Sequence, residues 1–394
     1  MKIVGLIAEY NPFHNGHQFH IEKAKELTGS DYVVVIMSGN FVQRGTPAIM
    51  PKHLRAEAAL RAGASLVIEL PVCYATGTAE QFAFGAISLL QKLGCVDSIC
   101  FGSECGNLDI LTKLAKILYD EPTEYKIALQ KNLKNGLSFP YARQCAISSL
   151  YPEKEYAHIL EQPNNILGIE YLKALYRLKS KMVPFTIQRI FSNYHDENLQ
   201  EQFSSATAIR KMIEQGIFEK LNGQIPDSSI GLFKEFYQKR FPVYANDFSL
   251  LLKHRLLNET KTSLTEYADV SEELANRIYN QRNAFLNYEQ FCELLKTKEI
   301  TYSRISRALL HILLQIKKTD IKDISFARVI GFRQDATTIL SEIKKSSSIP
   351  LVTKLVNYDG SLLDVYTSNL YESIITDKFK TPYTNEYEHP IVRI

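Results

Sequence analysis

The chain has 394 residues, of which 45% are hydrophobic and 23% charged, a composition ordinary for a soluble globular protein with room for two domains. Its net charge of +3 excludes a chain that is basic throughout, so any nucleic-acid surface must come from local clusters of cations. We find no signal-peptide pattern, no apolar run of the roughly 18–20 residues that a membrane helix needs, and no sign of an obligate protein partner. We therefore expect a cytoplasmic protein without membrane contact.

Short apolar segments alternate with helical patterns through the first half of the chain. Such alternation indicates βαβ units and a parallel sheet. We predict an α/β fold with a Rossmann-like parallel five-stranded sheet. The predicted strands are 3–7, 32–37, 66–70, 98–101 and 184–190. The long helical pattern over 108–150 is expected to break at Pro122 and at Pro140.

A cluster of glycine, proline, aspartate and serine at 223–229 predicts a domain boundary. We expect an ATP-binding catalytic domain over 1–225 and a mainly helical second domain over 226–394. The second domain should end in a small mixed segment, because 326–330 has the composition of a strand.

The segment between the first strand and the first helix contains the motif His14-Asn15-Gly16-His17. Ligands of open α/β sheets bind at the carboxyl ends of the strands, and a helix N-terminus favours phosphate. Two imidazoles three residues apart can face one side and stabilise charge at an α-phosphate as pyrophosphate leaves. Two alternatives are unrelated surface histidines and a metal pair, for which nearby carboxylates are lacking.

This motif resembles the HxGH nucleotidylyltransferase superfamily. Longer strings in the chain resemble the bacterial tRNA(Met) cytidine acetate ligase family, and the likeness covers nearly the whole chain. The matching segments are 5–17, 37–45, 67–71, 101–104 and 164–168.

The resemblance implies an enzyme that makes acetyl-adenylate from ATP and acetate. It would then acetylate N4 of the wobble cytidine in the anticodon region of elongator tRNA(Met). Mg²⁺ is expected as the companion of ATP, although no set of protein ligands for it is evident. Without the resemblance, the residues predict only that the protein activates a substrate at an α-phosphate.

The resemblance also places roles on individual residues. We expect four of them to act in catalysis, namely His14, His17, Lys23 and Arg210. The expected ATP-binding residues are Ile7, Ala8, Glu9, Tyr10, Asn11, Pro12, Phe13, His14, Asn15, Gly16, His17, Gln18, Phe19, His20, Gly102, Asn164, Asn165, Arg189, Ser204 and Ser205. One of the two asparagines should simply cap a helix, and the sequence leaves open which one contacts the nucleotide.

The segment 296–318 carries six basic residues and one acid. Arg304 and Arg307 lie three residues apart on one face of a predicted helix, and Tyr302 could stack on an unpaired base. We expect these three residues to bind RNA, with a solvated helix face as the alternative. Two other functions stay open for the whole chain, a cofactor-synthesising nucleotidylyltransferase and a non-catalytic RNA-binding protein with a nucleotide fold.

Overall fold

The computed structural model describes residues 1–152, 156–189, 205–355 and 362–394. Its strands are β1 Ile3–Ala8, β2 Tyr32–Ser38, β3 Phe41–Val42, β4 Thr46–Pro47, β5 Leu66–Leu70, β6 Ser98–Ser103, β7 Val183–Gln188, β8 Ala327–Phe332, β9 Leu351–Val352 and β10 Val392–Arg393. Its helices are α1 Asn15–Thr28, α2 Lys52–Arg61, α3 Val72–Ala75, α4 Ala79–Leu93, α5 Leu108–Asp120, α6 Thr123–Lys134, α7 Phe139–Leu150, α8 Tyr156–Ile159, α9 Pro163–Leu178, α10 Ala206–Glu214, α11 Asp227–Phe236, α12 Ser249–Asn258, α13 Lys261–Leu264, α14 Glu272–Gln281, α15 Tyr288–Leu295, α16 Tyr302–Leu314, α17 Thr337–Ser346 and α18 Leu362–Phe379.

The five predicted strands form a parallel sheet in the order β5-β2-β1-β6-β7, which confirms the predicted fold class. Alternate side chains of β2 enter two different cores. Val33 and Val35 pack with α1 and α2, whereas Val34 and Ile36 pack with α4 and α9 on the other face. Helices therefore cover both faces, which is why these strands are apolar almost throughout.

The order of the strands fixes where a ligand can bind. From β1 the chain moves outward through β2 to β5, and it then returns to place β6 on the opposite side of β1. The loops that leave β1 and β6 diverge at this reversal, so a crevice opens between them at the carboxyl ends of the strands.

The C-terminal end of the chain completes this sheet. Strand β8 pairs antiparallel with β5, and β9 and β10 pair with β8, so that the sheet has eight strands. All six residues of β8 are buried. The structure therefore differs from the predicted division at residue 225, since the last part of the chain covers an edge of β5 that would otherwise expose unpaired backbone groups.

Helices α11 to α16 account for most of 227–314, as the periodicity predicts. Both predicted breaks are present: Pro122 immediately precedes α6, and Pro140 lies in the first turn of α7, directly after the break between α6 and α7. A proline is favourable there because the first N–H groups of a helix have no intrahelical partner. No helix in the described ranges combines the length and the apolar character needed to cross a bilayer.

A buried ion cluster joins the two ends of the chain. The Nζ atom of Lys52 lies 2.7 Å from Oε1 of Glu69 and 2.8 Å from Oε1 of Glu386, and all three side chains are at most 6% exposed. Ser368 on α18 accepts a further hydrogen bond from Lys52 at 2.9 Å. Burial opposes ionisation of Glu386, but the charge of Lys52 holds the pKa of that carboxyl well below its usual range.

We expect Lys52→Met to lower the free energy of unfolding by about 3–5 kcal/mol, because it removes the cation closest to two buried carboxylates and leaves Glu386 with the more distant Arg328 and His53. Urea denaturation measures this. Lys23→Met is the matched control, since Lys23 pairs with Glu26 on an exposed helix face and its loss should cost under about 1 kcal/mol. Equal urea midpoints for the two variants would show that the cluster contributes no stability.

Candidate nucleotide-binding site

The loop between β1 and α1 ends in a helix cap that is built from two imidazoles. His14 is the N-cap residue, and its Nδ1 accepts the N–H of Gly16 at 3.1 Å. In return, Nδ1 of His17 accepts the N–H of His14 at 3.3 Å. This is a reciprocal capping box in which histidines take the places usually held by a hydroxyl and a carboxyl or amide group.

The cap decides which nitrogen of each ring carries the proton. A ring nitrogen that accepts a backbone N–H has no proton, so each neutral ring is protonated on Nε2. The two rings stack with their centroids 3.7 Å apart, and Tyr10 meets the ring of His17 edge-on at 4.8 Å. Two Nε2–H donors are therefore held side by side at the N-terminus of α1.

Both rings are neutral at physiological pH. Burial and the nearby cations Arg189 and Arg210 lower the pKa of His14 to about 3. Burial and the neighbouring His14 bring the pKa of His17 well below its usual value. The pKa of His20, one turn further along α1, is lowered to about 4 mainly by burial. A bound polyanion would find hydrogen-bond donors here without prior protonation.

A buried arginine on α2 holds the loops that carry these groups. Arg55 is completely buried and donates through its guanidinium to the backbone carbonyls of Glu9, Ser38, Gly39 and Met50. It thereby joins the loop after β1 to the loop after β2. The sequence prediction missed Arg55, and the available signal was its place on the helical face of the buried Ala56 and Ala59.

The opposite wall comes from β6 and from the start of α9. The carboxylate of Glu104 accepts the N–H groups of Asn164 at 3.1 Å and Asn165 at 2.7 Å, so it caps α9. The structure separates the two asparagines. Asn164 lines the crevice, whereas Asn165 is 2% exposed and uses its Oδ1 to accept the N–H of Cys105.

Gly102 makes room for Arg189 on this wall. A Cβ atom at position 102 would lie 3.2 Å from Cγ of Arg189, which is tighter than an ordinary contact. Both residues line the crevice, and the N–H of Arg189 donates to the carbonyl of Ser103 at 2.9 Å. The glycine therefore lets the arginine lie across the end of β6.

A second helix N-terminus points to the same place. Ser205 caps α10 by accepting the N–H of Ala208 at 3.0 Å. From the first turns of α10, Arg210 donates to the carbonyl of Asn11 at 2.7 Å and so fastens this helix to the loop after β1. Ser204, the other predicted serine, lies outside the described residues.

These elements enclose a cavity of about 280 Å³ at the crevice between β1 and β6. Predicted residues that line it are Ile7, Ala8, Glu9, Tyr10, Asn11, His14, His17, His20, Gly102, Asn164, Arg189, Ser205 and Arg210. Residues that the prediction did not assign to the site include Gln43, Ala79, Phe82, Phe101, Leu167 and Tyr171. Many of these side chains are apolar, and in the sequence they look like ordinary core residues. No local pattern therefore marks them as lining a cavity.

Some predicted residues support the site without lining it. Pro12, Gly16, Gln18 and Phe19 belong to the loop and the helix but do not line the cavity. Phe13 is fully buried against Tyr10. Asn15 donates to the carbonyl of Gly223 at 2.7 Å and ties α1 to the segment before α11.

Lys23 is placed away from the cavity. It lies six residues beyond His17, about 9 Å further along the helix axis, and its ammonium group pairs with Glu26 at 2.5 Å. Its side chain is 44% exposed. The predicted action of Lys23 on phosphates is therefore not supported by its position.

The predicted RNA-binding residues of α16 are largely engaged within the protein. Nε of Arg307 lies 2.8 Å from Oδ2 of Asp269, and both side chains are nearly buried. The hydroxyl of Tyr302 is hydrogen-bonded to the thiol of Cys292, and burial raises the pKa of Tyr302. Arg304 is half-buried. The helix packs its other side into the core, so the i, i+3 spacing of the arginines does not create an open basic face.

Among the described residues, no group of three or more histidine, cysteine, aspartate or glutamate side chains is arranged to hold a metal ion. Glu9 is the one carboxylate in the described lining of the cavity, and its Oε1 accepts the N–H of Gln43 at 2.9 Å.

The fold and the paired histidines define a nucleotide-binding α/β protein, and the HIGH Nucleotidyl Transferase profile matches residues 1–386. The chain is 43% identical to a tRNA(Met) cytidine acetate ligase of Caldanaerobacter subterraneus over the full length of both chains. A protein of the same name from Acetivibrio thermocellus is 43% identical over 98% of this chain and 96% of its own. The chain belongs to the tRNA(Met) cytidine acetate ligase family.

Two solved structures share the fold over the whole of both chains. Thermotoga maritima TmcAL in its apo form is 34% identical, with a TM-score of 0.93. Thermotoga maritima TmcAL bound with alpha-thio ATP is 34% identical, with a TM-score of 0.91.

We expect His14 and His20 to stay neutral when the pH falls from 7.5 to 5, because their pKa values are lowered to about 3 and about 4. The unfolded chain takes up these protons near pH 6.5, so the two groups have no pH-linked effect on stability above that pH and make the folded state progressively less stable as the pH falls from 6.5 toward 4. Nuclear magnetic resonance of the imidazole rings measures this. Titration of either ring near pH 6.5 in the folded protein would contradict the assignment.

Proposed function

We propose that this protein is an ATP-dependent acetate ligase that forms acetyl-adenylate and acetylates N4 of the wobble cytidine of elongator tRNA(Met). The observation that carries the proposal is the pair of stacked, neutral imidazoles at the N-terminus of α1. The name of the relatives supports the acid and the RNA, and the ATP analogue in Thermotoga maritima TmcAL supports the nucleotide. The reaction belongs in the cytoplasm, where ATP and tRNA meet.

In the first step, a carboxylate oxygen of acetate attacks the α-phosphorus of ATP. The bond from that phosphorus to the bridging oxygen breaks, and pyrophosphate leaves with the electron pair. Negative charge grows on the non-bridging oxygens of the α-phosphate, where the Nε2–H groups of His14 and His17 donate. Each such donor contributes on the order of 3 kcal/mol when it is already in position before the reaction.

The surrounding residues would bind different parts of the nucleotide. Arg189 and Arg210 lower the pKa of His14 because their charges reach it, and the same charges attract the phosphates of ATP. The N-terminus of α10 at Ser205 suits the terminal phosphates. We assign the nucleoside to the far wall, where Gly102 and Asn164 line the cavity.

Mg²⁺ would reach this site on the phosphates of ATP. The cavity lining offers the carboxylate of Glu9 and no set of acidic ligands in its described part, so phosphate oxygens would supply most of the coordination. Bound Mg²⁺ would neutralise charge on the triphosphate.

In the second step, N4 of the cytidine attacks the carbonyl carbon of acetyl-adenylate. The bond from that carbon to the phosphate oxygen breaks, AMP leaves, and N4 gives up one proton to solvent. The tRNA must therefore bring one base to the same cavity in which the adenylate forms.

We expect His17→Ala to lower acetate-dependent exchange of labelled pyrophosphate into ATP by roughly 100-fold or more, because one donor to the α-phosphate is lost. Binding of tRNA should be nearly unchanged. Lys23→Ala is the matched control on the same helix and should exchange at the wild-type rate, since Lys23 lies away from the cavity. A His17→Ala enzyme that is folded by circular dichroism and exchanges normally would refute the role of this imidazole.

A panel of small acids in the same exchange assay separates the candidate functions. An exchange rate that requires acetate, and that is lower when formate or propionate replaces acetate, supports the ligase. Exchange that needs no acid but a phosphorylated co-substrate supports a cofactor-synthesising nucleotidylyltransferase. Absence of exchange in a protein that still binds tRNA supports a non-catalytic RNA-binding protein.

A further inference from the structure

Residues 131–141 comprise the last turn of α6, the connection to α7 and the first residues of α7, and they present two aromatic rings to solvent. We call this segment the α6–α7 tip. Phe139 and Tyr141 are each 54% exposed, and neither ring stacks on another ring or on a cation among the described residues. The two residues flank Pro140 in the first turn of α7, which is itself exposed. Apolar surface exposed in this way commonly marks a place where another molecule binds.

The charge around these rings is positive. Residues 125–152 contain four basic side chains and no acid. Arg143 turns inward and pairs with Glu170 on α9 at 3.3 Å. Lys131 and Lys134 are exposed on the α6–α7 tip and have no carboxylate partner in the described part of the chain. The α6–α7 tip therefore carries the two rings and two exposed lysines, while Glu124 lines the same surface cavity as Lys131.

The tip adjoins the segment that leads into α16. A Cβ atom at Gly136 would lie 3.6 Å from Oε1 of Glu299, so this carboxylate borders the tip. The residue before Glu299 is the exposed Lys298. Further along, Ser306 donates to the carbonyl of Gly45 at 2.8 Å, next to Arg44 in the cavity lining.

The other side of the tip also leads to the cavity. Arg143 of α7 contacts Glu170 of α9, and Tyr171, the next residue, lines the cavity. The tip is thus linked to two walls of the site through short chains of contacts.

We propose that the α6–α7 tip binds an unpaired stretch of RNA beside the reacting base, with Phe139 and Tyr141 stacked on bases and Lys131 and Lys134 on phosphates. Exposed aromatic rings bordered by cations are how proteins hold single-stranded nucleic acid. A second copy of the chain fits less well, because a two-fold contact would bring the same lysines against each other. The proposal rests on the tRNA step of the proposed function.

The test compares binding of two labelled RNAs by fluorescence anisotropy, the anticodon stem–loop of elongator tRNA(Met) and a blunt duplex of its stem. For the full-length Phe139→Ala/Tyr141→Ala variant we expect the Kd for the stem–loop to rise roughly tenfold or more, because base stacking is lost, and the Kd for the duplex to change little. Phe139→Tyr/Tyr141→Phe keeps both rings and should bind as the wild type does. Tyr383→Ala removes an exposed ring elsewhere and is the matched control.

Lys131→Gln/Lys134→Gln tests the charged half of the surface. The slope of log K against log salt should become shallower by about one unit for each lysine that contacts a phosphate. Acetate-dependent pyrophosphate exchange in the absence of RNA should stay at the wild-type rate in both double variants, since none of the four residues lines the cavity.

Stem–loop binding by Phe139→Ala/Tyr141→Ala that equals the wild type overturns this inference and leaves the proposed ligase intact. A wild-type protein that elutes as a dimer, and becomes a monomer in this variant, assigns the surface to a second copy and overturns the inference as well. A wild-type enzyme that exchanges pyrophosphate but binds no RNA overturns the tRNA step and the inference together.

Discussion

The candidate nucleotide site depends on two hydrogen bonds at the start of α1, in which the N–H of Gly16 donates to Nδ1 of His14 and the N–H of His14 donates to Nδ1 of His17. These bonds fix the orientation of both rings and leave the Nε2 protons for a ligand. Burial keeps the rings neutral, so each offers a fixed N–H donor and would not carry a proton in the proposed reaction. The helix cap and the proposed catalytic groups are the same pair of side chains, so a change in either histidine would alter both.

Two buried cations of α2 keep this cap in its place. Arg55 binds the carbonyls of the loops after β1 and β2, and Lys52 binds carboxylates from β5 and from the C-terminal segment. Because a buried charge is stable only with its partners, the C-terminal end of the chain supports the nucleotide site, although none of its described residues lines the cavity. The two parts of the chain are therefore energetically linked at α2.

The side chains of α16, behind the site, are also used more for packing within the protein than for forming an exposed surface. The basic residues of 296–318 are a feature of the sequence, yet Arg307 is paired with Asp269 and Tyr302 with Cys292. The two arginines of α16 therefore form no open basic face, although the lysines that flank this helix are exposed. Exposed rings, with lysines that have no carboxylate partner among the described residues, occur on the α6–α7 tip, in the half of the chain that carries the nucleotide site.

The sequence by itself determined the features that depend on neighbouring residues. Apolar runs predicted all five parallel strands, and the motif at His14 to His17 predicted a phosphate-binding helix N-terminus, because strand burial and helix capping are local patterns. Tertiary structure decided what depends on distant partners. The pairing of β8 with β5, the burial of Arg55 and the different roles of Asn164 and Asn165 all arise from contacts between residues far apart in sequence. Such contacts leave no periodicity, so only the folded chain shows which charged or polar side chains face the cavity and which hold its walls together.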